Sequence, residues 1–385
     1  MRICLIYDCL FPWTVGGAER WLRRLAEALA AEGHAVTYLT RRQWDPDDPP
    51  EIPGVDVVAV SRADGLYGPG GERRIAPPLR FGAGVARHLL RHRGEYDVVH
   101  ACAFPYFSVL AAGLTRTRPL YVDWCEVWSE AYWRDYLGGP AGRAGSLVQR
   151  ACARVPQQAF TFSELHAQRL LAAGHRGTPI RLGGLAAPVD PAAPAPDADS
   201  PRAAHVVFAG RHIPEKAVEA LPAALAVARR TIPDLHATLF GDGPTRPKVL
   251  AAIEAAGATG YVEAPGFAAA ADVEAAIARA AVMVLPSRRE GYGIVVVEAF
   301  AAATPAVVVA GEDNAAVELV EPGVNGIVAP SASAEDLGAA IVAAIGGGAA
   351  LRASTARWYS ERAEAISVEH SVGQVLAAYA ARGGR

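Results

Sequence analysis

Residues 281–300 read AVMVLPSRREGYGIVVVEAF. An apolar run ends at Pro286, a polar loop with two glycines follows, and a second apolar stretch then opens with helix-compatible length. A short, near-continuous apolar run is the mark of a strand buried on both faces, as in a parallel sheet with helices on either side. The loop therefore joins a strand's carboxyl end to a helix's amino end. Gly291 and Gly293 let backbone amides approach a ligand closely. The helix start offers unpaired N–H groups and a partial positive charge, which suits a phosphate.

The same strand–loop–helix unit recurs on both sides of this stretch. Towards the N-terminus lie PAVVVA's counterparts HVVFAG (205–210), LHATLFG (235–241) and GYVEAPG (260–266); PAVVVA itself is 305–310. Further back come ICLIY (3–7), AVTYLT (35–40), VDVVAV (55–60), DVVH (97–100), PLYVD (119–123), QAFTFS (158–163) and PIRL (179–182). Residues 17–32 carry Trp21, Leu22, Leu25, Ala28 and Leu29 at helical spacing. Between the two series, residues 186–202 read AAPVDPAAPAPDADSPR, where proline removes backbone donors and no period survives. The chain is thus α/β, with a first domain over 1–185, a linker over 186–202 and a second domain over 203–357. A helical tail, 358–385, is expected to end the second domain or fold back over the first.

Bulk composition agrees with two folded domains. The 385 residues are 51% hydrophobic and 20% charged, with a formal net charge of −3. A single core seldom grows beyond ~250–300 residues. The charge supplies no basic field for nucleic acid. The five cysteines (4, 9, 102, 125 and 152) are odd in number and match no zinc spacing, so they read as reduced thiols of a cytoplasmic protein. No run approaches the ~20 apolar residues of a membrane span. The stretch 79–93, with Arg80, Arg87, Arg91 and Arg93, reads as a solvated face in preference to a membrane-docking one.

Ligands of open parallel sheets bind beyond the strands' carboxyl ends, so residues just after strands carry the chemistry. After 205–209 comes Gly210-Arg211-His212-Ile213-Pro214-Glu215-Lys216, where Arg211 and Lys216 can converge on a diphosphate. After 235–240 comes the turn Gly241-Asp242-Gly243-Pro244, and after 260–265 Gly266-Phe267, whose ring could shelter a nucleobase. After 281–287, Glu290 and Glu298 bracket the glycine loop, and a carboxylate accepts well from paired hydroxyls of a ribose or sugar ring. In the first domain, Gly16-Gly17-Ala18-Glu19 opens a helix after the first strand; it lacks dinucleotide-fingerprint spacing.

Taken in order, these segments resemble the family 4 glycosyltransferases. The GGAE loop, GRxxPEK, GDGP, the PGF turn and E-G-Y-G-x4-E run over nearly the whole chain. The resemblance implies the GT-B fold: two Rossmann-like domains with parallel sheets facing across a cleft, and a C-terminal helix crossing back to the first domain. It implies a retaining, metal-independent transfer from a nucleotide-diphosphate sugar to a hydroxylated glycan, lipid-linked or small-molecule acceptor, with no cofactor. It assigns catalysis to Arg211, Lys216 and Glu290. Donor contacts fall to Gly16, Gly17, Gly210, Gly266, Phe267, Gly291, Tyr292, Gly293, Ile294 and Glu298 besides. Asp123-Trp124-Cys125-Glu126-Val127-Trp128 is similar to a DWHEVW stretch of some members, which implies a sugar or acceptor pocket at Asp123, Cys125, Glu126 and Trp128. Cys125 stands where His is usual, and a thiol is a weak hydrogen-bonding group; this suggests a donor lacking an ordinary 6-hydroxyl. His100 is a rival imidazole. Two other readings stay open here: a sugar-nucleotide epimerase of the same fold, and a nucleotide-sugar-binding protein without activity.

Overall fold

The computed structural model describes residues 1–62, 65, 74–186 and 202–383, so all but the two ends of the proline-rich stretch lies outside the described residues. The chain divides into two units, Met1–Leu185 with Val368–Arg385, and Ala186–Ser367. The first is built on β1 (Arg2–Ile6), β2 (Ala35–Arg41), β3 (Val55–Ser61), β4 (Val98–Cys102), β5 (Leu120–Trp124), β6 (Gln158–Thr161) and β7 (Ile180–Arg181). They lie in the order β3-β2-β1-β4-β5-β6-β7, every pairing parallel. β4 and β5 are buried along their whole length, the reason their sequences show no alternation. Helix Gly17–Ala31 covers the sheet with Trp21, Leu22, Leu25, Ala26 and Leu29.

The second unit repeats the plan with β8 (His205–Ala209), β9 (His236–Phe240), β10 (Val262–Gly266), β11 (Val282–Leu285), β13 (Ala306–Val309) and β15 (Gly326–Ala329). The order is β10-β9-β8-β11-β13-β15, again all parallel. Two further strands of two residues each, β12 (Arg289–Glu290) and β14 (Asp313–Asn314), pair with each other beside this sheet. In each unit the strand order reverses once, between β1 and β4 and between β8 and β11. These are the switch points where loops diverge and leave room for a ligand.

The tail differs from the sequence expectation. Residues 358–385 do not form one helix returning to the first unit. Trp358 lies in a helix of the second unit, Gly348–Arg362, packing edge-on to Phe300 at 5.2 Å and donating to Glu321 at 2.7 Å. The returning helix is Val368–Gly383. It is fastened to the first unit by Gly184 N–H on Ser371 (3.0 Å) and by Tyr121 OH on the Ala378 carbonyl (3.0 Å). Among the described residues no single helix is long and apolar enough to cross a membrane.

One pair of residues ties the second sheet's stability to pH. His205 and His236 face each other on β8 and β9, with rings stacked 4.4 Å apart and 7° from parallel. Burial, then the neighbouring His236 and Arg279, push the His205 imidazole down to about 4 from 6.5. The fold thus prefers the neutral ring, while the unfolded chain takes up the proton first. The native state is unaffected above pH 6.5 and loses stability as pH falls from 6.5 towards 4. The melting temperature is expected to fall over that window, and His205→Gln to flatten the fall.

Candidate active site

Loops leave the carboxyl ends of the six strands of the second sheet, and the two from β8 and β11 flank its switch point. Three of them are stitched together by main-chain hydrogen bonds. Gly210 N–H donates to Phe240 O (3.2 Å), His212 N–H to Asp242 O (2.9 Å) and Gly241 N–H to Gly266 O (2.8 Å). Gly241 has φ +121°, and a Cβ there would sit 1.9 Å from the Gly210 carbonyl oxygen. The GDGP turn is therefore glycine by necessity: it packs backbone against backbone under the Arg211 loop. Arg246 extends the stitching, donating to the Ala264 carbonyl at 2.8 Å.

Past β11, the chain forms β12, turns at Gly293 (φ 99°, ψ 54°) and enters helix Ile294–Ala301. No side chain caps that helix, so its first N–H groups are presented to the loop as they would be to an anion. Its β-branched Ile294-Val295-Val296-Val297 run is poor helix-forming sequence, and burial of Val296, Val297 and Phe300 offsets that. Gly293 is again required, since a Cβ would meet that of Ala316 at 2.8 Å.

The structure brings Lys216 and Glu290 together. The Lys216 ammonium contacts Glu290 Oε1, and the Ser287 hydroxyl donates to the same oxygen at 2.7 Å. The two side chains are 20% and 9% exposed. Arg211 lies exposed at the exit of β8, Glu298 is half-buried on the helix, and Gly291, Tyr292 and Gly293 are buried in the loop. Phe267 stands 76% exposed after β10. Two residues the sequence reading passed over hold this arrangement. Ser287 orients Glu290, and Asn314 donates to the Ser287 carbonyl (3.1 Å) and the Val309 carbonyl (2.8 Å) while accepting from Ala316 N–H (3.1 Å). Asn314 so binds the β11 and β13 loops into one piece.

In the first unit, Gly16 caps helix Gly17–Ala31 with extended backbone, and Glu19 is buried, accepting from Tyr7 OH at 3.3 Å. The DWCEVW segment, expected to form a sugar or acceptor pocket, is largely buried. Asp123 is 0% exposed: its Oδ2 accepts from Trp21 Nε1 at 2.7 Å and its Oδ1 lies 2.8 Å from His100 Nε2. His100 Nδ1 meets Tyr379 OH at 2.5 Å. This string crosses from the first helix to the last and is interior architecture, which also accounts for His100. Trp128 is 8% exposed and sits among Phe104, Tyr132, Trp133 and Tyr136, with ring centroids 4.5–5.3 Å away. Gln149 serves that cluster, accepting from Trp128 N–H and Tyr106 OH at 2.9 and 2.8 Å. Glu126 accepts from Trp128 Nε1 at 2.8 Å. Cys125 and Glu126 are the half-buried members of the segment, and Cys125 lies beside Cys102, whose thiol is pushed far up by the Cys125 contact and by burial.

Comparison with known proteins follows the same division. Residues 203–346 match the family model for glycosyl transferases group 1, and residues 16–183 the model for a glycosyl transferase 4-like domain. The alpha-D-kanosaminyltransferase of Streptomyces kanamyceticus is 36% identical over 125 residues, 32% of this chain and 32% of that protein. Glycogen synthase of Mycobacterium tuberculosis is 28% identical over 336 residues, 80% of this chain and 77% of its own. Among solved structures, sucrose-phosphate synthase from Thermosynechococcus elongatus superposes with a TM-score of 0.77 at 21% identity, covering 100% of this chain and 99% of that one. Anabaena HepE in complex with UDP gives 0.71 at 20% identity, covering 99% and 100%. With two parallel-sheet α/β units and both halves matched, the chain belongs to the group 1 glycosyltransferases of the GT-B fold.

Proposed function

We propose that the protein transfers a glycosyl group from a nucleoside-diphosphate sugar to a hydroxyl of a glycan, lipid-linked or small-molecule acceptor, with retention of anomeric configuration. The observation that carries the reading is the meeting of Lys216 and Glu290 at the second sheet's switch point, beside an uncapped helix start. In the complex, Lys216, Arg211 and the amides around Tyr292, Gly293 and Ile294 face the diphosphate. Glu290 faces the sugar ring and Glu298 the ribose hydroxyls. Gly210, Gly266 and Phe267 line the nucleoside side. Gly16 and Gly17 are assigned to the donor, and the acceptor to the first unit's strand-exit loops.

The bond from the anomeric carbon to the β-phosphate oxygen breaks as the bond to the acceptor oxygen forms on the same face. The electron pair leaves with the diphosphate, and the acceptor's proton passes to a departing phosphate oxygen. Stabilising that leaving charge is the protein's main task. Two cations and a helix start supply it, so transfer is expected to persist undiminished in excess chelator. The reading is tested by following the product's anomeric proton by NMR with a panel of acceptors. An α-linked donor should give an α-linked product. An inverted anomer, or an epimerised nucleotide sugar formed without acceptor, would sink it.

The Cys125 position refines the donor. With a weakly hydrogen-bonding thiol where the family resemblance implies an imidazole, the reading is a sugar lacking an ordinary 6-hydroxyl, a deoxy sugar or a pentose. Cys125→His is expected to move kcat/KM towards 6-hydroxylated donors. Equal turnover of 6-hydroxy and 6-deoxy donors by the unaltered protein would refute it.

A further inference from the structure

The two loops at the second unit's switch point carry mirrored charges: Glu215-Lys216 after β8 and Arg289-Glu290 on β12. They pair crosswise. Beside the Lys216–Glu290 contact, Arg289 Nη2 lies 3.4 Å from Glu215 Oε1, with the two side chains 11% and 13% exposed. Arg288 N–H also donates to the Glu215 carbonyl at 2.8 Å. Ala217, next along, is 1% exposed and held in the left-handed region at φ 48°, ψ 37°. A non-glycine residue keeps that conformation only where surrounding contacts over-determine it. The turn that carries Lys216 is therefore set by its neighbours and not by its own preference.

Burying an ion pair yields little net stability, because desolvation offsets the attraction. A pair in this place does something else: it fixes the spacing of the two loops. When a diphosphate draws the Lys216 ammonium away from Glu290, the Glu215–Arg289 pair still holds one loop against the other. We propose that Glu215 and Arg289 are positioning residues for a diphosphate-linked ligand: they set the distance between Lys216 and Glu290, and hence the affinity for a nucleoside diphosphate, without touching it. The inference rests on the donor-site reading above.

The test compares the unaltered full chain with Glu215→Gln, Arg289→Gln and the exchanged double variant Glu215→Arg/Arg289→Glu. Calorimetric Kd values for a nucleoside diphosphate are measured together with KM and kcat for the corresponding nucleotide sugar, and with melting temperatures. Each single change should weaken diphosphate binding and raise KM by about tenfold with kcat little altered, and the exchange should restore most of the loss, as coupled neighbours do. Single variants that melt lower yet bind as tightly as the unaltered chain would make the pair merely structural and overturn the inference. So would an exchanged variant that folds but binds no better than the single ones. If the unaltered chain binds no nucleoside diphosphate of any base, the donor-site reading itself fails, and this inference with it.

Discussion

Lys216→Ala is expected to lower the transfer rate by on the order of 10²–10³, the usual loss when one preorganised contact to developing charge is removed. The geometry favours the upper part of that range. The ammonium is only 20% exposed and is held against Glu290 by the turn at Ala217, so it is aimed before a ligand arrives. A fixed charge in a partly dehydrated site acts more strongly than a mobile one in water. The substitution also takes from the Glu290 carboxylate its cationic partner, which should raise KM as well as lower kcat. Arg211→Ala removes a more exposed guanidinium and should cost less. Steady-state rates for the three proteins check both statements. A Lys216→Ala enzyme with kcat within a factor of about two of the original would remove Lys216 from the charge-stabilising role.

Asp123→Ala is expected to destabilise the first unit by about 3–5 kcal/mol, since it removes a fully buried carboxylate that accepts from Trp21 Nε1 and stands within ion-pair distance of His100. Trp21 Nε1 and His100 Nε2, 2.7 and 2.8 Å from the carboxylate, would be left in a dry interior. The damage should spread to the last helix, because His100 is what Tyr379 meets from Val368–Gly383. Asp123→Asn keeps the shape and one acceptor and should be far milder. Denaturant unfolding measures the stabilities, and kcat of the Asn variant decides the role. Near-normal turnover fits an architectural Asp123. Lost turnover in a stably folded Asn variant would return it to the sugar pocket.

These two residues show where the sequence is readable and where it is not. Strands such as Val282–Leu285 and Ala306–Val309 announce themselves because burial on both faces forces an unbroken apolar run. The loops after them follow from the topology, so Arg211, Lys216, Glu290 and Glu298 could be singled out from position alone. β12 and β14 are two residues long and carry no period. β15 begins with Gly326, whose Cβ would lie 2.1 Å from the Ala306 carbonyl oxygen, a close strand approach that reads in sequence as a turn glycine. Asn314 acts mainly on backbone carbonyls, which leave no trace in residue identity. The Trp21–Asp123–His100–Tyr379 string joins four segments far apart in the chain, and only the folded sheet and returning helix bring them together. The aromatic run at 124–136 suggests a sugar-stacking surface, since aromatics serve both packing and recognition. Trp124 and Trp133, at 0% and 5% exposed, show that packing has claimed most of it.

We infer that the second unit binds a nucleoside-diphosphate sugar through Arg211, Lys216, Glu290 and Glu298. The most direct test is the shift in melting temperature of the purified chain against a panel of nucleoside diphosphates and their sugars, with Arg211→Ala and Glu298→Ala alongside. A ligand that binds only the folded state raises the melting temperature in proportion to the logarithm of its concentration over Kd. A clear rise is expected for the nucleotides of one base, lost or much reduced in both variants. No rise for any nucleotide at millimolar concentration, or a rise that both variants retain in full, would contradict it.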